Sequence, residues 1–132
     1  MKKYTRVCAR IDLDAIEHNI EMIHRTLSEG TQMMAVMKTD GYGHGATPIA
    51  KLLDTKDYMW GCAVATHDEA ILLYEAGIKK PILVLGCIFP ENRVEMLEKD
   101  IRMTCYTEER AKEVSDLAVS MNKKAYIHIK LD

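Results

Sequence analysis

Short apolar segments alternate with helical patterns along nearly the whole chain, and that alternation leaves few folds open. The segments "TQMMAVMK" (31–38), "WGCAVA" (60–65), "PILVLG" (81–86), "IRMTC" (101–105) and "KAYIHIKL" (124–131) read as strands. Helical spacing fills the gaps at 46–53, 67–76, 91–99 and 107–121. Strand beginnings recur roughly every 20 to 27 residues, the length of one strand-helix unit. A connection that holds a helix joins parallel strands, with a right-handed crossover. The chain is therefore α/β with a parallel sheet, either an open doubly wound sheet or part of a barrel.

The first thirty residues add an opening helix. Leu13, Ile16, Ile20, Ile23 and Leu27 recur at three- and four-residue steps, which predicts a helix over about 12–27. Asp14 with Glu17 three residues later reads as a capping box that starts it. Before it, "VCARIDL" (7–13) alternates and reads as a strand. The chain stops at Asp132 directly after a strand, and is read as a piece of something longer.

Composition narrows the function. Eighteen Lys and Arg against twenty Asp and Glu are scattered, without the basic stripe that nucleic acid requires. The longest apolar runs are too short to span a bilayer, and no signal peptide opens the chain. Cys8, Cys62, Cys87 and Cys105 form no C-x-x-C pair and read as free thiols of a reducing cytosol. No His/Asp/Glu cluster has metal-ligand spacing, and His24 and His67 read as surface residues.

The residues suited to chemistry gather in "AVMKTDGYGHGA" (35–46). Met34, Val36 and Lys38 share one strand face, so Lys38 leaves the carboxyl end of a strand, where parallel barrels and open sheets bind ligands. On geometry alone, a lysine snorkelling to solvent fits as well. Gly41, Gly43 and Gly45 permit unusual backbone angles around Tyr42, and the helix that follows would favour an anion at its N-terminus. The spacing matches neither a Walker loop nor a dinucleotide fingerprint, and a plain tight turn explains the glycines equally. In "YIHIKLD" (126–132), Tyr126, His128, Lys130 and Asp132 alternate with Ile127, Ile129 and Leu131. One polar face suits a barrel interior near a site; an edge strand wetted on one side is the alternative.

The string "AVMKTDGYGHGA" closely resembles the signature of the alanine racemases, pyridoxal-phosphate enzymes whose catalytic lysine lies in "AVVKADAYGHG" or a near variant. "ARIDLDAIEHNI" resembles their opening strand and helix, "CAVATHDEAILLYEAGI" their V-A-x-x-x-E-A region, and "IHIKLD" the strand that continues into T-G-M-x-R-x-G. The resemblance covers essentially the full chain. It implies four to five βα units from the N-terminal portion of a pyridoxal 5'-phosphate-binding (β/α)8 TIM barrel. The rest of the barrel and a β domain would follow in complete members, and the strand at 7–13 would pair with that second domain.

Carried over by position, Lys38 resembles the lysine that bonds the cofactor aldehyde and serves as the base on one face of the substrate Cα. Tyr42 resembles the tyrosine that hydrogen-bonds the cofactor phosphate, and Leu85 a residue lining the cofactor pocket. Lys130 matches a lysine that many members carry as a carbamate. The resemblance implies a cytoplasmic homodimer that interconverts L- and D-alanine for peptidoglycan. Desolvation by the barrel, beside apolar Met34 and Val36, would keep the Lys38 amine reactive. The second base, a tyrosine of the C-terminal domain, does not occur in these residues, so the chain alone is expected to be inactive and to self-associate through open sheet edges. The alternatives are a barrel protein of cofactor homeostasis, a serine racemase, and a non-catalytic α/β module whose Lys38 pairs with a phosphate.

Overall fold

The computed structural model describes residues 6–131. Five strands, β1 (Met33–Val36), β2 (Met59–Val64), β3 (Ile82–Val84), β4 (Arg102–Cys105) and β5 (Ile127–Ile129), form one sheet in the order β1-β2-β3-β4-β5. Every pairing is parallel. A doubly wound sheet reverses its strand order at a switch point. This one never reverses, so right-handed crossovers put all the helices on one face, as in a barrel wall.

Register assigns the two faces. Val36 pairs with Ala63, Ala63 with Leu83 and Leu83 with Arg102, while Thr104 pairs with His128; these point to the concave side. Cys62, Val64, Ile82, Val84 and Met103 point the other way and join the main core with Met37, Ala50, Leu53, Leu73, Met96 and Val114. That core lies between the sheet and α3 (Ala46–Asp54), α4 (His67–Glu75), α5 (Arg93–Glu98) and α6 (Glu108–Ser120). Burying such side chains stabilises each unit by roughly 1.5–3 kcal/mol per residue.

Two glycines let adjacent strands approach. A Cβ on Gly61 would stand 2.2 Å from the Pro81 carbonyl oxygen, and one on Gly86 would stand 2.2 Å from that of Ala65. The register also slips between Met33 and Met34, whose partners are Met59 and Gly61, so Trp60 is skipped. A bulge of this kind re-aims a side chain. The Trp60 ring lies 5.5 Å from that of His128 and 4.7 Å from the Arg102 guanidinium, which the Tyr126 ring also approaches at 4.7 Å. Burial first, and then the positive charge of Arg102, lower the His128 pKa.

Three sequence expectations need correction. The segment 7–13 is not a strand: it runs irregularly up to Asp12, and no strand lies beside it among the described residues to share a ladder. The first helix, α1 (Leu13–His24), is capped by Asp12 and not by Asp14. The Asp12 carboxylate accepts from the amides of Asp14 and Ala15, both at 3.1 Å, so the cap sits two residues earlier than the spacing to Glu17 suggested. Glu17 instead pairs with Lys56, which ties α1 to the loop before β2. Nor are His24 and His67 idle surface groups. His24 stacks on Tyr58 at 4.2 Å, and His67 joins α4 to α5 through Glu95 at 2.7 Å.

The last strand keeps its expected division only in part. His128 faces the concave side, but on the apolar face only Ile127, 37% exposed, lies by α6, while Ile129 and Leu131 are 78% and 91% exposed. Asp132, grouped with the polar face above, lies outside the described residues.

Candidate active site at the carboxyl ends of the strands

Lys38 lies two residues past the end of β1, beyond the buried Met37, whose amide donates to the Ala63 carbonyl at 2.7 Å. There the backbone changes hand. Lys38–Tyr42 forms one turn, α2, in which Thr39, Asp40, Gly41 and Tyr42 have φ of 56°, 52°, 63° and 57°; Gly43 follows at 82°. Five successive residues are left-handed, and only two are glycine. The other three carry a Cβ, which costs about 1–2 kcal/mol each in this region. Such a turn persists only where its surroundings hold it.

Two carboxylates do so. Asp40 Oδ1 accepts from the Ala46 amide at 2.7 Å. Glu69 Oε1 accepts from the Thr39 amide at 2.6 Å, and its Oε2 accepts from the amides of Ala65 at 2.7 Å and Thr66 at 3.2 Å. Backbone bonds complete the turn: Gly41 donates to Met37 at 2.9 Å, Gly43 to Thr39 at 3.0 Å and Gly45 to Asp40 at 2.9 Å. The α3 N-terminus, expected to favour an anion, therefore already has one in Asp40. Neither carboxylate was singled out from the sequence. The Thr66-x-x-Glu69 spacing was a usable signal, because these residues form a reciprocal capping box at α4. Nothing local announces that Glu69 also reaches Thr39, thirty residues away.

The turn presents Lys38 and Tyr42 together, with the Lys38 ammonium 5.9 Å from the centre of the Tyr42 ring. Both are exposed, Tyr42 at 59%. Val36 is itself 44% exposed on the concave face, and the expected dry setting belongs to a closed barrel, which these five strands do not form. A second group stands at the same rim. The Tyr106 hydroxyl donates to the carbonyl of half-buried Leu85 at 2.6 Å, and the Lys130 ammonium is 5.6 Å from the Tyr106 ring. The Lys130 amide extends the β4–β5 ladder by donating to Cys105 at 3.0 Å. Lys38 with Tyr42, and Leu85 with Lys130, thus flank one end of the sheet.

Other features do not compete for the chemistry. A cavity of about 590 Å³ opens at the opposite end, by Lys80, Pro81, Ile101 and Tyr126. Barrel enzymes work at the carboxyl ends of their strands, so size alone does not mark the site. All four cysteines are free, and burial pushes the Cys62 thiol up to about 11, which leaves it inert. Among the described residues no helix is long and apolar enough to cross a membrane.

Known proteins resemble this chain in sequence and in fold. Alanine racemase 2 of Oceanobacillus iheyensis is 40% identical over 131 residues, which cover 98% of this chain and 33% of that protein. The solved structure of the Clostridium difficile 630 alanine racemase in complex with cycloserine superposes with a TM-score of 0.88 at 38% identity, covering 92% of this chain and 32% of that one. A histidine racemase from Leuconostoc mesenteroides subsp. sake gives 0.76 at 26% identity, over 87% and 30%. The chain thus spans about a third of the length of the relatives it matches. The family described as alanine racemase, N-terminal domain, matches residues 11–132, and this chain belongs to it.

Proposed function

We propose that this chain supplies the lysine-bearing part of a pyridoxal-phosphate-dependent alanine racemase. The observation that carries the reading is the left-handed turn, which aims Lys38 and Tyr42 together from the carboxyl end of β1. Relatives named alanine racemase at about 40% identity favour this over cofactor homeostasis.

The donor set fits the cofactor: a primary amine for an aldehyde, and a phenol beside it for a phosphate. Lys38 would hold the aldehyde carbon, the Tyr42 hydroxyl would donate to the phosphate, and Leu85 would line the pocket wall. When bound, pyridoxal phosphate supplies the electron sink that acidifies the substrate Cα. Once the substrate amine had displaced it from the aldehyde carbon, the freed Lys38 amine would take a proton from one face of Cα, or return it to that face. Its present exposure means that bound groups and further chain must exclude water before the amine works in a dry setting. Inversion needs a second donor on the opposite face, so one lysine accounts for half of a racemisation. Lys130 is proposed to be carbamylated, which would replace a cation at this rim by an anion. D-alanine made in this way would serve cell-wall synthesis in the cytoplasm, and the working assembly would be a homodimer.

Mixing the purified chain with pyridoxal phosphate tests the reading. A visible absorbance band that borohydride bleaches as it fixes the cofactor to the chain, and that is absent in Lys38→Ala, is expected; no band in the wild type overturns it. The same protein should not racemise alanine at a useful rate, and ordinary turnover would refute that part. The likeness to a histidine racemase favours a second reading, in which residues outside this third of the protein choose the amino acid.

A further inference from the structure

We propose that Glu69 is a positioning residue for Lys38, a reading that rests on the function just given. A half-buried carboxylate on the first turn of α4 spans two strand ends. One oxygen accepts from Thr39, the residue bonded to Lys38, at 2.6 Å; the other accepts from Ala65 and Thr66, just past β2. Glu69 thereby fixes the start of the left-handed turn to the end of the neighbouring strand.

The placement suits that task better than a helix cap alone requires. A capping box needs the Glu69 side chain only at the Thr66 amide, which is the longest of its three bonds at 3.2 Å. The two short bonds go to Thr39 and Ala65. Glu69 also borders a small cavity of about 130 Å³, with Met37, Asp40, Val64 and Leu72 around it; Asp40, the other carboxylate on that lining, is already engaged by the Ala46 amide at 2.7 Å. Asp40, by contrast, holds the far end of the turn against α3. Without Glu69 the Thr39 amide loses its acceptor, and the strained φ values of Thr39 and Asp40 lose the restraint on the Lys38 side. The lysine would then sample directions away from the shared position with Tyr42, and aldehyde capture is sensitive to placement on the ångström scale.

Glu69→Gln tests this, because it keeps size and shape but leaves only one oxygen for three amides. At a temperature where its circular dichroism equals that of the wild type, about a tenfold weaker affinity for pyridoxal phosphate is expected. A shifted pH midpoint of the bound chromophore should accompany it, which a loss of stability alone would not produce. Without cofactor, amide exchange at Thr39 through Gly43 should quicken about tenfold while α3 and α6 keep their protection. Unchanged affinity, pH midpoint and exchange in the folded variant would overturn the proposal. If Glu69→Gln does not fold, Glu69→Asp keeps the charge but draws the carboxylate back by one carbon and should show the same losses; unfolding of both variants would make Glu69 a residue of the fold and also overturn it. A wild type that captures no cofactor refutes the functional reading instead, and the exchange measurement then decides the role of Glu69 by itself.

Discussion

Lys38 and Lys130 stand at the same rim of the sheet and are held there by different means. Lys130 prolongs the β5 ladder, with an ordinary backbone bond to Cys105. Lys38 begins a turn of five left-handed residues braced by Asp40 and Glu69. A strand end fixes where a Cα lies, but a strained turn with two carboxylate braces also fixes where the next residues go. That extra restraint is found at the lysine assigned to covalent chemistry, where backbone strain tends to be kept.

The contrast can be broken most sharply by exchanging the two lysines for alanine. Lys38→Ala should abolish the visible band and the attachment that borohydride makes permanent, whereas Lys130→Ala should retain both; their loss in both variants would erase the distinction. Next in size is Gly61→Ala. Its new Cβ cannot coexist with the Pro81 carbonyl at 2.2 Å, so β2 and β3 must part, with a loss of about 3 kcal/mol or more by denaturant unfolding. This would damage the frame under both lysines alike. Asp40→Ala should cost about 1–3 kcal/mol for the lost charge-assisted bond to the Ala46 amide, and should weaken cofactor capture without affecting β5.

The smallest effect expected is pH-dependent. Hydrogen bonds to Asp68 and then to Glu95 raise the His67 pKa, against some desolvation. The stability this gives is present in full below the unfolded value near 6.5 and is lost as pH rises through the higher folded value. For His128 the direction reverses, because its lowered pKa gives stability above about 6.5 that falls away in acid. Thermal unfolding of His67→Gln and His128→Gln across neutral pH should show opposite changes in slope, each modest. Sedimentation offers a further check on the Lys130 side, since the uncovered outer face of β5 should promote self-association that Ile129→Lys reduces.

Most of the frame was legible because its signals are local and repeated. Apolar stretches that recur at one unit length located the first four strands within two residues at each end and β5 within three, and helical spacing located α3 to α6. Lys38 and Tyr42 stood out because glycines crowd around them. What escaped notice depended on distance or on missing neighbours. The segment 7–13 alternates like a strand, yet alternation cannot supply a partner. Thr39, Asp40 and Tyr42 take left-handed angles that side chains disfavour, so their conformation follows from Asp40, Glu69 and α3, and not from their own preferences.

The unbroken strand order bears on how such a chain is made. Paired residues are as close as Leu83 and Arg102 and no farther apart than Val36 and Ala63. Among the described residues no strand waits for a partner made much later, so loop closure stays short at each of these steps. On a ribosome each strand-helix unit could dock on the one before it as it emerged, and the lysine turn, braced from β2 and α4, would be set long before synthesis reached β5.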